Sequence, residues 1–187
     1  MGNQPTLATD RLTLRPFLLS DASSVQRLAG DKRVALVTGD IPYPYRDGLA
    51  EQWISTHESA WQQNAVITYA VCDRDTGVLI GCVGLRHTAR HARASLGYWI
   101  GVEHWGNGFC TESARAVMNV GFDRWALKRI EATHFVSNGA SGAVMRKLGM
   151  AHEGTFRAYM VREGVSQDVA QYAILSAEAS SEGDRSP

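Results

Sequence analysis

Between Gly97 and Trp125 the chain reads GYWIGVEHWGNGFCTESARAVMNVGFDRW, and this stretch constrains the fold more than any other. Tyr98, Trp99, Ile100 and Val102 form a short aromatic and β-branched run, the pattern of a buried strand. A glycine-punctuated turn follows: Trp105-Gly106-Asn107-Gly108-Phe109-Cys110-Thr111. Beyond it, Ala114, Val117, Met118, Gly121, Phe122 and Trp125 recur at the spacing of one helix face, with Glu112, Arg115, Asn119 and Asp123 on the other. A strand entering a helix through such a turn leaves backbone N–H groups without partners at the helix start. Those amides and the positive end of the helix dipole suit a phosphate or pyrophosphate, and Gly106 and Gly108 let the backbone come close to it. An ordinary tight strand–helix connection has the same local pattern.

Spacing rules out two familiar nucleotide loops. A P-loop ends in Gly-Lys-Ser/Thr, whereas Asn107-Gly108-Phe109 stands here. The dinucleotide fingerprint needs a further glycine three residues after the second, and that position is Thr111. The turn is instead similar to the acyl-CoA loop of the GNAT superfamily of N-acetyltransferases, written Gln/Arg-x-x-Gly-x-Gly/Ala. Trp105 takes the place of the usual Gln/Arg, and Cys110 that of the final small residue. The tryptophan and the following Thr111-Glu112 resemble the RimJ/RimL-type branch, which contains ribosomal-protein N-terminal acetyltransferases.

The totals place bounds on the remaining possibilities. A chain of 187 residues forms one domain with a full core and is short for two. Lys+Arg and Asp+Glu are equal at 19 each, which argues against a partner held mainly by phosphate contacts, such as bulk duplex DNA. Cys72, Cys82 and Cys110 have neither CxxC spacing nor an even count, so no disulfide framework or zinc site is indicated. With no basic–apolar–small leader and no run of membrane-spanning length, the expectation is a cytoplasmic domain.

Taken in order, residues 1–9 are polar and expected to fray. A strand is expected from Arg11 to Pro16, a helix capped by Ser20 or Asp21 through Ala29, and a second helix over 46–63. Strands follow at 66–72 and 78–85, joined by Arg74-Asp75-Thr76-Gly77, with Gly81 and Gly84 signalling a bulge or close packing. The turn His87–Ala92 carries two histidines and two arginines; no Cys or carboxylate joins them, so it reads as a solvated turn rather than a metal site. A strand at 129–136, a helix from Asn138 to Gly149, and two strands at about 152–162 and 165–175 complete the domain. The tail from Ala177 has the composition of disorder. The order β-α-α-β-β-β-α-β-α-β-β implies a mixed α/β sheet of about seven strands with about four helices on both faces, in one domain over 10–176.

The later segments extend the resemblance across Arg11–Leu175. GNAT proteins place an Asn after the fifth strand, a small residue three positions on, and Gly-Phe closing the next helix; Asn138, Ser141 and Gly149-Met150 fill those slots. Gly154, Arg157, Gly164, Asp168 and Tyr172 look like the RimJ/RimL-type C-terminal hairpin. The resemblance implies direct transfer of an acetyl group from acetyl-CoA to a primary amine, without a metal. On the same ground, Trp99, Ile100, Gly101, Val102, Trp105–Thr111, Asn138 and Ser141 are expected to bind the cofactor. The acceptor implied is a protein N-terminus, as in the ribosomal-protein enzymes; small amines and a non-catalytic acyl-CoA-binding module are the alternatives. A homodimer is also implied as possible, and no nucleic-acid or membrane partner is.

The chemistry assigns candidates. The amine must lose a proton to attack, so a base is required. Glu103, where the strand ends before the loop, is the first choice; Glu112, in the helix's first turn, fits a dipole-compatible structural role. His134 could reach an amine but also reads as a core histidine. Many members carry a Tyr acid seven residues after the Asn; that slot is Met145 here, leaving Ser141 as the available hydroxyl, or else as a helix cap. Cys110 at a helix N-terminus admits a covalent route, which the family does not use. Acceptor specificity is expected around 38–61, 87–92 and 157–168.

Overall fold

The computed structural model describes residues 2–182. A single mixed sheet of eight strands runs in the order β1-β2-β3-β4-β5-β6-β8-β7. The strands are β1 (Leu7–Ala8), β2 (Leu12–Arg15), β3 (Val66–Asp73), β4 (Leu79–Thr88), β5 (Arg93–Ile100), β6 (Arg129–Phe135), β7 (Ala151–Arg162) and β8 (Val165–Leu175). Every neighbouring pair is antiparallel except β5 and β6, which are parallel and joined through the helix α5 (Phe109–Trp125). Seven of these strands match the expected ones; the eighth is the two-residue β1.

The central strands β3 and β4 are apolar on both sides because both faces of the sheet are covered. On one face α5 and α6 (Gly139–Lys147) bury Val117, Met118 and Met145 with Ile67, Tyr69 and Ile80. On the other, α1 (Ala22–Ala29) and α3 (Leu49–Ser55) bury Val25, Leu28 and Ile54 against Ala70, Cys72 and Cys82. Gly81 is the predicted close approach: a Cβ there would lie 2.5 Å from the Trp99 carbonyl oxygen and from Ile100 Cδ1.

Four sequence expectations change in the structure. The helix expected over 46–63 is two, α3 and α4 (His57–Gln62), and a short α2 (Lys32–Ala35) precedes them. The hydroxyls of Ser55 and Thr56 donate back to the carbonyls of Gln52 and Trp53, competing with helix continuation at the break. The N-terminal segment is tied down: β1 pairs with β2, the Gln4 amide donates to the Thr68 carbonyl, and the Trp61 indole donates to that of Gly2. Beyond Leu175 the chain forms α7 (Ser176–Glu182), started by the Glu178 carboxylate accepting the Leu175 N–H, with Ala179 packed on the core. Residues 183–187 of the expected disordered tail lie outside the described residues.

Candidate active site

Parallel pairing between β5 and β6 lasts for three register positions, Arg93↔Arg129, Ala94↔Ile130 and Ser95↔Glu131. Past Ser95 the two strands separate. β5 stays paired with β4 to Ile100, and β6 with β8 to Phe135, so a wedge opens inside the sheet. The Gly101 N–H donates to Ile80 O at 2.8 Å, which sets the alternation of the antiparallel ladder. Odd-numbered residues of β5 exchange hydrogen bonds with β4, the Leu96 amide closes the last bridge to β6, and the amides of Tyr98 and Ile100 point into the wedge. An extended, amide-bearing ligand can complete the interrupted ladder there. On the opposite side of β5 from α5, a Cβ at Gly97 would meet no atom within 4 Å, so an approaching group has open space.

At the wide end of the wedge lies the glycine turn. Gly106 and Gly108 both take φ of 79°, a left-handed conformation that favours glycine. The amides of residues 106–111 donate to no protein acceptor among the described residues, and they run into the first turn of α5. The segment is braced from outside. Glu112 accepts from Thr9 Oγ1 at 2.6 Å, from the Arg11 amide at 2.9 Å and from Arg11 Nε at 2.8 Å, while Arg11 Nη1 donates to Asn107 O. Burial works against the Glu112 charge, but these donors outweigh it and hold the carboxyl below its usual range. Glu112 is thus a clamp between α5 and the start of β2. Together the row of free amides, the helix dipole and the interrupted ladder fit a pyrophosphate joined to an amide-containing arm.

The other candidate residues divide by what they touch. Glu103 lies in a single 3-10 turn, Val102–His104, exposed beside the mouth and paired with Arg27 at 3.0 Å. The Arg27 hydrogen bond lowers its pKa. Trp105, at the position usually Gln/Arg, donates its indole N–H to Ile100 O at 2.7 Å and so closes the end of β5. Trp99, partly buried, and Ile100 pack against opposite core layers, and a Cβ at Gly101 would meet Leu28 at 2.6 Å; Ile100 and Gly101 can offer only backbone to a ligand. Phe109 lies under the Arg11 guanidinium, 4.8 Å from its ring centre. Cys110 is pushed by burial to about 12, so its thiol stays protonated and is no nucleophile at neutral pH.

Asn138, not Ser141, caps α6. Its Oδ1 accepts the Ser141 N–H at 3.2 Å and its Nδ2 donates to Val37 O. The Ser141 hydroxyl is left for another partner, Tyr98, whose OH lies 2.9 Å away across the wedge. Met145 is buried in the core and offers the site nothing. Tyr98 is the site residue that sequence reasoning did not single out. Its signal was period two: on β5, Tyr98 shares the α5 face with Leu96 and Ile100, not the face of Trp99. His134 is half-buried: Nδ1 meets Phe135 O at 2.7 Å, and Nε2 is covered by Gly142, where a Cβ would stand 2.8 Å away.

Two of the three expected acceptor regions meet at the mouth. Arg162 Nη2 donates to the carbonyls of Ala35 and Ile41, and a Cβ at Gly39 would sit 3.1 Å from Met160 Cε. The β7–β8 arm therefore roofs the segment that Asn138 holds from below. The third region, 87–92, lies elsewhere. His87 stacks on Trp125 at the far end of α5, 4.3 Å between ring centres, and Ala92 O accepts from the Lys128 N–H. β5 runs from that end towards the mouth, so the turn borders the closed end of the wedge.

The fold thus opens a sheet between two parallel strands and sets a glycine turn at the opening. Residues 11–151 match the family model of the acetyltransferase (GNAT) domain, and the chain belongs to that family. It is 35% identical over 172 residues to an uncharacterized N-acetyltransferase, YoaA of Bacillus subtilis, covering 91% of this chain and 97% of the relative. Among solved structures, RimL, a ribosomal L7/L12 α-N-protein acetyltransferase in complex with coenzyme A, superposes with a TM-score of 0.83 at 19% identity, covering 91% of this chain and 98% of that one. The spermidine N-acetyltransferase of Vibrio cholerae, in complex with CoA and spermine, gives 0.78 at 23% identity, with 91% and 99% covered. Likeness at those identities is likeness of fold.

Proposed function

We propose that this protein moves an acetyl group from acetyl-CoA directly to a primary amine, with the N-terminal α-amine of a protein or peptide as its acceptor. The observation that carries the acetyl-CoA reading is the wedge: the β5–β6 ladder stops after Ser95↔Glu131, and free amides continue from it to the glycine turn. Acetyl-CoA supplies the activated thioester. The pyrophosphate belongs at the amides of residues 106–111, and the arm of the molecule along Tyr98 and Ile100. A wedge-facing β5 amide is the donor for the thioester carbonyl oxygen as negative charge gathers on it.

Glu103 is the carboxylate that draws the acceptor ammonium to the mouth and takes its proton through water. Its pairing with Arg27 keeps it ionised for that task. Ser141 stands on the α6 side of the wedge as the hydroxyl for the departing sulfur. The half-buried, protonated Cys110 supports direct transfer over an acyl-enzyme.

For the acceptor, the support lies in the β7–β8 arm. It presents Phe156, Tyr159, Val161 and Val165 to solvent beside the mouth, an apolar surface suited to a polypeptide more than to an isolated small amine. The deciding assay is thiol release from acetyl-CoA with two acceptor sets. One holds short peptides with free Ser or Ala N-termini, the other polyamines, amino acids and aminoglycosides. Turnover on peptides is expected. Turnover confined to small amines would replace the protein-directed reading, and CoA binding with no turnover on either set would favour a non-catalytic module.

A further inference from the structure

Tyr98 and Ser141 meet across the wedge, from β5 to the first turn of α6. The Tyr98 hydroxyl lies 2.9 Å from Ser141 Oγ and 3.2 Å from Ser141 O. Among the described residues Ser141 Oγ has no other partner, because Asn138 has already taken the capping role at the Ser141 amide. The carbonyl oxygen of Ser141 belongs to a helix and faces the intrahelical ladder. The closer and otherwise unengaged oxygen, Oγ, is the better acceptor for the phenol.

We propose that Tyr98 is a positioning residue for acetyl transfer: its hydroxyl donates to Ser141 Oγ and thereby turns the serine's own hydrogen toward the sulfur of the bound thioester. The inference rests on the acetyl-CoA reading above. Each hydroxyl has one hydrogen. If Tyr98 gives its hydrogen to Oγ, the Ser141 hydrogen must go elsewhere, and the wedge is where the acceptor atom arrives. Burial raises the phenol's pKa, so Tyr98 stays protonated and remains a donor.

The step balances without a further reagent. The amine nitrogen bonds to the carbonyl carbon, the C–S bond breaks, and its electron pair leaves on sulfur. Ser141 Oγ–H holds that thiolate by a charge-assisted hydrogen bond, which is stronger than a neutral one. The sulfur finally takes up the proton that the attacking nitrogen has lost, relayed through solvent. Tyr98 and Ser141 end the cycle as they began it.

The test needs no acceptor. CoA bound to the folded protein is titrated with pH and the thiolate is followed by its ultraviolet absorbance, for the wild type, Y98F, S141A and the double variant. The bound thiol should ionise at lower pH than free CoA. Y98F and S141A should each move the midpoint up by about one pH unit, and the double variant should move it no further than the larger single one. A purely structural Tyr98 would alter thermal stability and leave the midpoint alone. If CoA binds and Y98F titrates like the wild type, or if the two shifts add, the Tyr98 role is overturned while the acetyl-CoA reading stands. If CoA does not bind the folded wild type, both fall.

Discussion

Glu103 and Glu112 flank the same loop, and their neighbours separate their roles. Glu112 spends both carboxylate oxygens on Thr9 and Arg11, whereas Glu103 keeps an exposed side chain with Arg27 beside it. At this scale the expected outcome is kinetic. Glu103→Gln should lower kcat by about a hundredfold to ten-thousandfold, the range for a lost general base, with the affinity for CoA intact. Arg27→Gln supplies the sign. Arg27 lowers the Glu103 pKa, so its removal lets that pKa rise toward the ordinary carboxylate value and moves the acid limb of the kcat profile to higher pH. An acid limb that stays in place in both variants would take Glu103 out of the reaction.

Among the elements, α5 carries the most consequence because one end follows the glycine turn and its middle is pressed onto the sheet. The close approach is at Gly121, where a Cβ would stand 2.4 Å from Leu85 Cδ1 and 3.4 Å from Leu127 Cδ1. Leu85 and Leu127 are buried, so neither has room to give way. Gly121→Val should therefore cost about 1–3 kcal/mol by overpacking, read as a lower urea midpoint. It should also weaken CoA binding, since the helix start moves with the helix. A stable Gly121→Val protein with unchanged CoA affinity would show that the loop is held by the Glu112 clamp alone.

For the molecule as a whole, the acid response has an identifiable contributor. His57 lies between Phe17 and Trp53, with ring centres 5.4 and 4.4 Å away, and both its ring nitrogens are buried with no partner among the described residues. Burial lowers its pKa from 6.5 to about 4. The unfolded chain then binds a proton at His57 more readily than the folded one. Stability is intact above about pH 6.5 and is lost as the pH falls toward 4, by on the order of 3 kcal/mol at this one residue. Urea unfolding at pH 7 and pH 4.5 should show this decline, and His57→Phe should remove much of it. An equal decline in the variant would assign acid sensitivity to the carboxylates instead.

What the sequence determined by itself was local or periodic. Alternating and helical spacing placed the principal strands, α5 and α6, and the glycine turn was legible because Gly106 and Gly108 answer a need of their own backbone, a positive φ. Only the tertiary structure decided which distant groups meet. Tyr98 and Ser141 lie on different elements, and nothing in either segment specifies the 2.9 Å between them. The 87–92 turn and the 157–168 arm were equally plausible borders of the acceptor site by composition. Strand direction sent the first to the closed end of the wedge, and the Arg162 contacts drew the second over its mouth. The break between α3 and α4 and the ordering of α7 were likewise decided by side-chain hydrogen bonds that compete with, or complete, a helix end. Periodicity reports which face of an element is apolar, and the face it is buried against is settled when the sheet assembles.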